Sequence, residues 1–165
     1  MRAAFAFALS LLLAGCGFQL RGTADLPFET LYLPPASTPG IALDLKRNVQ
    51  SGTHTTVVDD PKKAEAVLEF SQEARDRQIL ALSASGRVRE YQLRYRVSFR
   101  VHDGKGSEFV PASTLQLTRD ITYADSDVLS KATEEGLLYR DMQSDMVQQI
   151  MRRLAAAQRP KPAAQ

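Results

Sequence analysis

Few side chains in the 165-residue sequence have the chemistry of a catalytic or metal site. There are two histidines, His54 and His102, and one cysteine, Cys16, without an acidic cluster spaced to complete a metal shell. His102 and Asp103 are neighbours in a predicted strand, so they point to opposite faces and do not form part of a catalytic triad. A glycine-rich phosphate-binding loop is followed by a helix, and no predicted helix follows Asp103-Gly104-Lys105-Gly106. We therefore expect no enzyme activity, no metal and no cofactor.

The arginines are the informative charges, because a guanidinium presents a planar fork that pairs with phosphate or carboxylate oxygens. If Leu82 faces Arg87 across a hairpin, the register contains two ion pairs and one pair of like charges. These are Glu69 with Arg100, Glu73 with Arg96, and Arg75 with Arg94. An excess of cations then remains near the turn, which predicts a contact with a phosphorylated amphiphile or with an acidic protein surface; a solvated hairpin end is the alternative. The candidate residues are Arg75, Arg77, Arg87, Arg89, Arg94 and Lys131.

Cys16 follows Leu13-Ala14-Gly15 and an apolar run that begins after Arg2. The run is about 11 residues long, whereas a bilayer span needs about 20, and its charged start and small final residues are typical of a secretory signal peptide. With cysteine after the cleavage position, the segment resembles the bacterial lipoprotein signal. That resemblance implies removal of residues 1–15 and acylation of Cys16, for example with palmitate, and Gly17 implies sorting to the outer membrane. An ordinary signal peptide with an unrelated cysteine is the alternative.

Length and charge limit the remaining organisation. Residues 16–158 are predicted to form one domain behind a lipid tether, and residues 159–165, with Pro160 and Pro162, a disordered tail. A chain of this size buries about 70% of its unfolded surface, enough for a core without disulfides. The formal net charge of +2 argues against general nucleic-acid binding.

The first half of the domain predicts a strand, a helix and a strand. The strands cover Glu29–Leu33, closed by Pro34-Pro35, and Thr53–Val58. The helix covers Ile41–Gln50 with Ile41, Leu45 and Val49 on one stripe, Thr38 and Pro39 at its start and Gly52 at its end. This order predicts parallel strands joined by a right-handed crossover.

The second half alternates with a period of two. Ala66 to Leu82 predicts a strand with Ala66, Leu68, Phe70 and Ala74 on one face, and Ser83 to Gly86 a hairpin turn. Arg87 to His102 predicts a strand of about 50 Å that reaches past its core. Its buried face is Tyr91, Leu93, Tyr95, Val97, Phe99 and Val101. A turn at Asp103–Gly106 precedes a further strand after Pro111.

The last predicted element is a helix that begins between Asp127 and Thr133 and ends near Ala157. Its apolar stripe, Leu138, Met142, Met146, Ile150 and Leu154, repeats every four residues and is expected to pack on the sheet. The predicted fold class is therefore α/β: a two-layer sandwich with a mixed, mostly antiparallel sheet of four to five strands and two helices packed on one face.

Three segments resemble the LptE (RlpB) family of lipopolysaccharide-assembly lipoproteins, in their order and spacing. They are Cys16-Gly17-Phe18-Gln19-Leu20-Arg21, Glu90-Tyr91-Gln92-Leu93 and the amphipathic stretch from Tyr139 to Leu154. The resemblance implies a non-catalytic lipoprotein on the periplasmic side of the outer membrane. It also implies that the domain lies as a plug inside an LptD-like β-barrel and inserts lipopolysaccharide into the outer leaflet with it.

Two alternatives to the plug remain from the sequence. A lipid carrier or receptor lipoprotein that does not bind a barrel would use the same anchor, but it should enclose an apolar cavity. A cell-wall enzyme would need a pocket with perturbed acids or bases.

Overall fold

The computed structural model describes residues 25–35, 40–124 and 127–158. It contains a five-stranded sheet and two helices. The strands are β1 (Thr30–Tyr32), β2 (Thr56–Val58), β3 (Ala66–Leu82), β4 (Val88–His102) and β5 (Glu108–Thr122); the helices are α1 (Ile41–Gly52) and α2 (Val128–Ala155), with a 3₁₀ turn at Pro61–Lys63. The strand order is β2-β1-β3-β4-β5. Because β1 is parallel to β2 and β3 while β3, β4 and β5 are antiparallel, the predicted mixed α/β sheet is confirmed.

The core lies between the two helices and one face of β4. The odd-numbered side chains of β4 from Leu93 to Val101 are buried, as their alternation predicts. Ile41, Leu45 and Val49 of α1 join the same cluster, with Met142, Met146, Val147, Ile150 and Leu154 of α2. Both predicted helical stripes therefore face the sheet.

The sheet has very different strand lengths on its two sides. β1 pairs with β3 only at Ala66 and Val67, whereas β3, β4 and β5 contain 17, 15 and 15 residues. A 17-residue strand is about 56 Å long. Three strands therefore continue beyond the five-stranded part, and only α2, about 42 Å long, runs beside them. The prediction that the long strand reaches past its core is confirmed.

Several predicted boundaries were wrong. β5 begins at Glu108, so Pro111 lies inside the strand; an edge strand tolerates proline because one side of its backbone has no ladder partner. β1 and β2 are shorter than predicted, and α1 continues to Gly52. Thr38 and Pro39, the predicted signal peptide with Cys16 and Gly17, and the predicted tail from residue 159 lie outside the described residues.

The two predicted turns of the long strands are confirmed. Gly86 has a φ of +77°, and its amide donates to the carbonyl of Ser83. At the other end, Asp103 Oδ1 accepts hydrogen bonds from the amides of Lys105, at 2.7 Å, and Ser107, at 3.0 Å. These amides lower the pKa of Asp103 and keep the loop in place.

Candidate functional site

The candidate site lies where the three long strands extend beyond the main core. We call this region the hairpin end: residues 77–91, the end of β5 at 119–124 and the first turns of α2 at 128–138. Arg87 and Arg89 are both exposed there. Arg89 lies beside the end of β5, because its carbonyl accepts the Tyr123 amide at 2.8 Å. Its side chain has no hydrogen-bond or ion-pair partner among the residues that the structure describes.

A β-bulge near Ser71 changes which face the other arginines occupy. Glu69 pairs with Arg100 as predicted, but the register then shifts between Phe70 and Gln72. Arg75 consequently lies opposite Tyr95, and Glu73 opposite Val97. The predicted pairs Arg75 with Arg94 and Glu73 with Arg96 are therefore wrong, because one inserted residue moves every following side chain to the other face. Arg75 and Arg77 lie on the side of the helices.

Arg75 contacts the core instead of a free surface. Its guanidinium carbon lies 4.7 Å from the ring centre of Tyr95 and 5.8 Å from that of Tyr139. It also donates a hydrogen bond to Gln143 Oε1 on α2. Tyr95 is fully buried and donates to Glu73 Oε1 at 2.6 Å; its burial, and then this carboxylate, raise the pKa of the phenol. Arg75 is thus a structural contact between β3 and α2.

Arg94 occupies the opposite face of the sheet and is neutralised there. Its Nε donates to Asp76 Oδ1 at 2.6 Å. Arg100 makes the same kind of pair with Glu69, at 2.6 Å, and this pairing, followed by the nearby His102 imidazole, lowers the pKa of Glu69. The structure therefore separates the six predicted cations into groups with different surroundings.

Arg77 and Lys131 meet at a cavity of about 220 Å³ under the start of α2. Arg77 lies 4.8 Å above the ring of Tyr91 and donates to Glu135 Oε2 at 3.0 Å. Lys131 Nζ donates to Glu134 Oε2 at 2.8 Å and to Thr122 Oγ1 at 3.2 Å. The other lining residues are Tyr91, Ile121, Tyr123, Val128, Ala132 and Glu135. Lys131 therefore lies at the same end of the sheet as Arg77.

Sequence reasoning missed the apolar part of the hairpin end. Six large apolar side chains there are between 44% and 85% exposed, with Leu129 at the upper limit. They are Ile79, Leu80, Leu82, Val128, Leu129 and Leu137. The run Ile79-Leu80-Ala81-Leu82 breaks the alternation of a half-buried strand, and this was the signal available in the sequence. The cations of this end therefore stand beside exposed apolar surface.

A larger cleft, of about 800 Å³, lies at the opposite end of the sheet. Its wall combines charged and polar side chains with the apolar side chains of Pro61, Ala64, Val67 and Phe109. The charged and polar ones include Lys62, Glu65, Glu69, His102, Asp103 and Lys105. His102 Nδ1 accepts the Gly104 amide at 2.9 Å. His102 Nε2 lies 3.2 Å from Glu69 Oε1, but the geometry of this contact is not that of a hydrogen bond. Acids and bases are thus mixed in this cleft with apolar side chains.

The comparisons with known proteins agree with this fold. The LptE family model, described as lipopolysaccharide-assembly, matches residues 28–154. The chain belongs to the LptE family. The match covers the whole sheet and almost all of α2, so it includes the hairpin end.

Relatives in this family align with most of the length of this chain. The LPS-assembly lipoprotein LptE of Yersinia enterocolitica is 28% identical over 149 residues, 87% of this chain and 70% of that protein. Lipoprotein B of Nitrosomonas europaea, solved by NMR in solution, is 41% identical, with a TM-score of 0.73 over 85% of this chain and 91% of that one. A minor lipoprotein of Acinetobacter baumannii is 27% identical with a TM-score of 0.65, covering 83% and 99%. Membership of the family implies an outer-membrane lipoprotein.

No helix within residues 25–35, 40–124 and 127–158 is both long and apolar enough to cross a membrane. The same residues contain no group of three histidine, cysteine or acidic side chains suited to a metal ion.

Proposed function

We propose that this protein is a non-catalytic lipoprotein of the outer membrane that acts with an LptD-like β-barrel in the assembly of lipopolysaccharide. Acyl chains on Cys16 hold it to the periplasmic leaflet, and the domain serves as the barrel's plug and as a lipopolysaccharide-binding component. Family membership and the names of its LPS-assembly relatives support this role.

The outer face of the sheet supports the plug. It carries polar side chains that form hydrogen bonds from β4 to β5. Examples are Ser98 with Thr114 at 2.9 Å, Gln92 with Asp120 at 3.1 Å, and Arg96 with Gln116. The interior of a large outer-membrane barrel is polar, whereas its outside is apolar. A hydrogen-bonded polar face suits the first of these surroundings because it needs no apolar partner.

The proposed contact with lipopolysaccharide lies at the hairpin end. Exposed Arg87 and Arg89 stand at the same end as the exposed apolar side chains Leu82 and Leu129. An amphiphile with phosphates and acyl chains requires this combination, because cations pair with phosphate oxygens and apolar side chains bury methylenes. Arg77 and Lys131 belong to the proposed site, while Arg75 and Arg94 already have structural partners and contribute mainly to folding.

The test is the double substitution Arg87→Ser with Arg89→Ser in the full chain, purified in a non-ionic detergent. Lipopolysaccharide affinity should fall about tenfold or more at low salt, since each shielded phosphate contact contributes about 1.5 to 3 kcal/mol and an exposed one much less. A matched control replaces the exposed pair Lys62 and Lys63 at the opposite end of the sheet, with the same loss of charge. Equal affinities of parent and Arg87/Arg89 variant would contradict the contact, and equal losses in both variants would indicate a general charge effect.

The anchor and the barrel have separate tests. Mass spectrometry of the mature N-terminus should find acylated Cys16, and Cys16→Ala should block lipidation and signal removal; an unmodified cysteine would contradict the anchor. Pull-down from outer membranes should recover a barrel protein at one-to-one stoichiometry. Recovery of the lipoprotein without a barrel would favour the carrier or receptor alternative.

A further inference from the structure

The two cations in the cavity under α2 are already paired with carboxylates of that helix. Glu135 Oε2 lies 3.0 Å from Arg77 Nη1, and Glu134 Oε2 lies 2.8 Å from Lys131 Nζ. Because consecutive residues of a helix point about 100° apart, the two acids reach two different cations. An anionic ligand that uses Arg77 and Lys131 therefore competes with both carboxylates for these cations.

Given the proposed lipopolysaccharide contact, on which this inference rests, we propose that Glu134 and Glu135 act as an internal competitor for the ligand's phosphates. They keep the affinity of the hairpin end below the value that its cations alone would give. A component that receives an amphiphile and passes it on needs release as well as binding, and a built-in anion that re-forms its ion pairs favours release.

The same contacts hold the start of α2 to the sheet. The buried residues of this helix begin at Met142. Before that position, Glu135 pairs with Arg77 of β3, Lys131 donates to Thr122 of β5, and the Tyr139 hydroxyl donates to the Asp76 carbonyl at 2.8 Å. Glu134 pairs with Lys131 within the helix and so positions that lysine. Binding and helix docking are therefore linked: a ligand that displaces the acids loosens residues 128–138, and a loosened helix binds the ligand more readily.

The experiment compares the parent full chain with the Glu134→Gln/Glu135→Gln variant, both in non-ionic detergent, with bis-phosphorylated lipid A as the probe. Exposed or half-exposed ion pairs of this kind are weak, so we expect the affinity of the variant to rise about 3- to 10-fold through slower dissociation. Hydrogen exchange of residues 128–138 should increase in the variant without ligand and in the parent on binding.

Asp145→Asn is the matched control. Asp145 is another carboxylate of α2, it pairs with Arg119 of β5 at 3.0 Å, and it lies outside the cavity wall. The control should change affinity by less than twofold. Each single variant, Glu134→Gln or Glu135→Gln, should give an intermediate gain, so poor folding of the double variant does not prevent the test.

The outcomes separate the inference from the proposed function. If the parent binds lipid A and the Gln variants bind it equally well, the competitor is contradicted while the contact stands. A gain in Asp145→Asn equal to that of the double variant also overturns the competitor, because it would reflect net charge alone. Failure of the parent to bind lipid A would contradict the proposed contact itself, and the competitor with it.

Discussion

Replacing Arg75 with serine should destabilise the protein while leaving lipopolysaccharide binding by folded molecules intact. The guanidinium stacks over Tyr95 and Tyr139 and donates a hydrogen bond to Gln143. Its ion pair with Glu73, at 3.8 Å, is long. These contacts join β3 to α2 in the region where β3 is an edge strand, so their loss should lower the stability of the domain.

The magnitude follows from the individual contacts. A cation–π contact at a partly exposed site contributes about 0.5 to 1 kcal/mol, and a hydrogen bond about as much. The Arg75 side chain is 37% exposed, so the lower values apply and the long ion pair adds little. We expect a loss of about 1.5 kcal/mol, equivalent to a lowering of Tm by about 3 to 6 °C for a domain of this size.

Urea unfolding followed by circular dichroism measures this loss, with Arg89→Ser as the matched control. Arg89→Ser removes the same charge from an exposed side chain and should change the free energy of unfolding by less than about 0.5 kcal/mol. Arg75→Lys keeps the charge without the planar fork and should lose about half as much as Arg75→Ser.

The result that would refute this reasoning is the reverse pattern. Suppose that Arg75→Ser leaves the free energy of unfolding within about 0.5 kcal/mol of the parent, the size of one weak surface contact. If it also weakens lipopolysaccharide binding as much as Arg89→Ser does, then Arg75 points away from the helices. The bulge near Ser71 would then be misplaced, and the register inferred from the sequence would hold.

Two further predictions concern the core. Phe99→Ala should lower the free energy of unfolding in urea by about 3 to 5 kcal/mol, because Phe99 is 1% exposed. The control Ser98→Ala loses one exposed hydrogen bond to Thr114 and should lower it by about 1 kcal/mol or less. Similar losses in the two variants would mean that the faces of β4 are reversed. Burial, and then Glu73, raise the pKa of Tyr95, so the folded protein holds the phenol proton more tightly than the unfolded chain does. The resulting contribution to the free energy of unfolding is fully present below the unfolded pKa of about 10. It is lost as the pH rises from there through the folded pKa. Unfolding measured from pH 8 to 11 should show less loss of stability in Tyr95→Phe than in the parent, and equal slopes would contradict the shift.

Much of the fold was predictable because its signals are local. The alternation from Tyr91 to Val101 identifies the buried face of β4, and the four-residue repeat from Met142 to Leu154 identifies the buried stripe of α2. Side chains follow a period of 2.0 in a strand and 3.6 in a helix whatever lies beside them. Both faces were therefore assigned correctly from the sequence.

The candidate site was only partly predictable because it depends on pairing between strands. The sequence places Arg87 and Arg89 at a hairpin tip, and the structure agrees. The bulge at Ser71 belongs to the fit of β3 against β4, and it sends Arg75 and Arg77 to the helix side.

The sequence by itself thus determined the elements, the core faces and the hairpin tip, because each depends on nearby residues. Tertiary structure alone decided which side of the sheet each cation occupies and which carboxylates lie beside it. Glu135 is 58 positions away from Arg77 in the chain, and only the docking of α2 beside the long strands brings it within 3.0 Å of the guanidinium. Pairing over such a separation follows from how the helix packs, which has no local pattern in the chain.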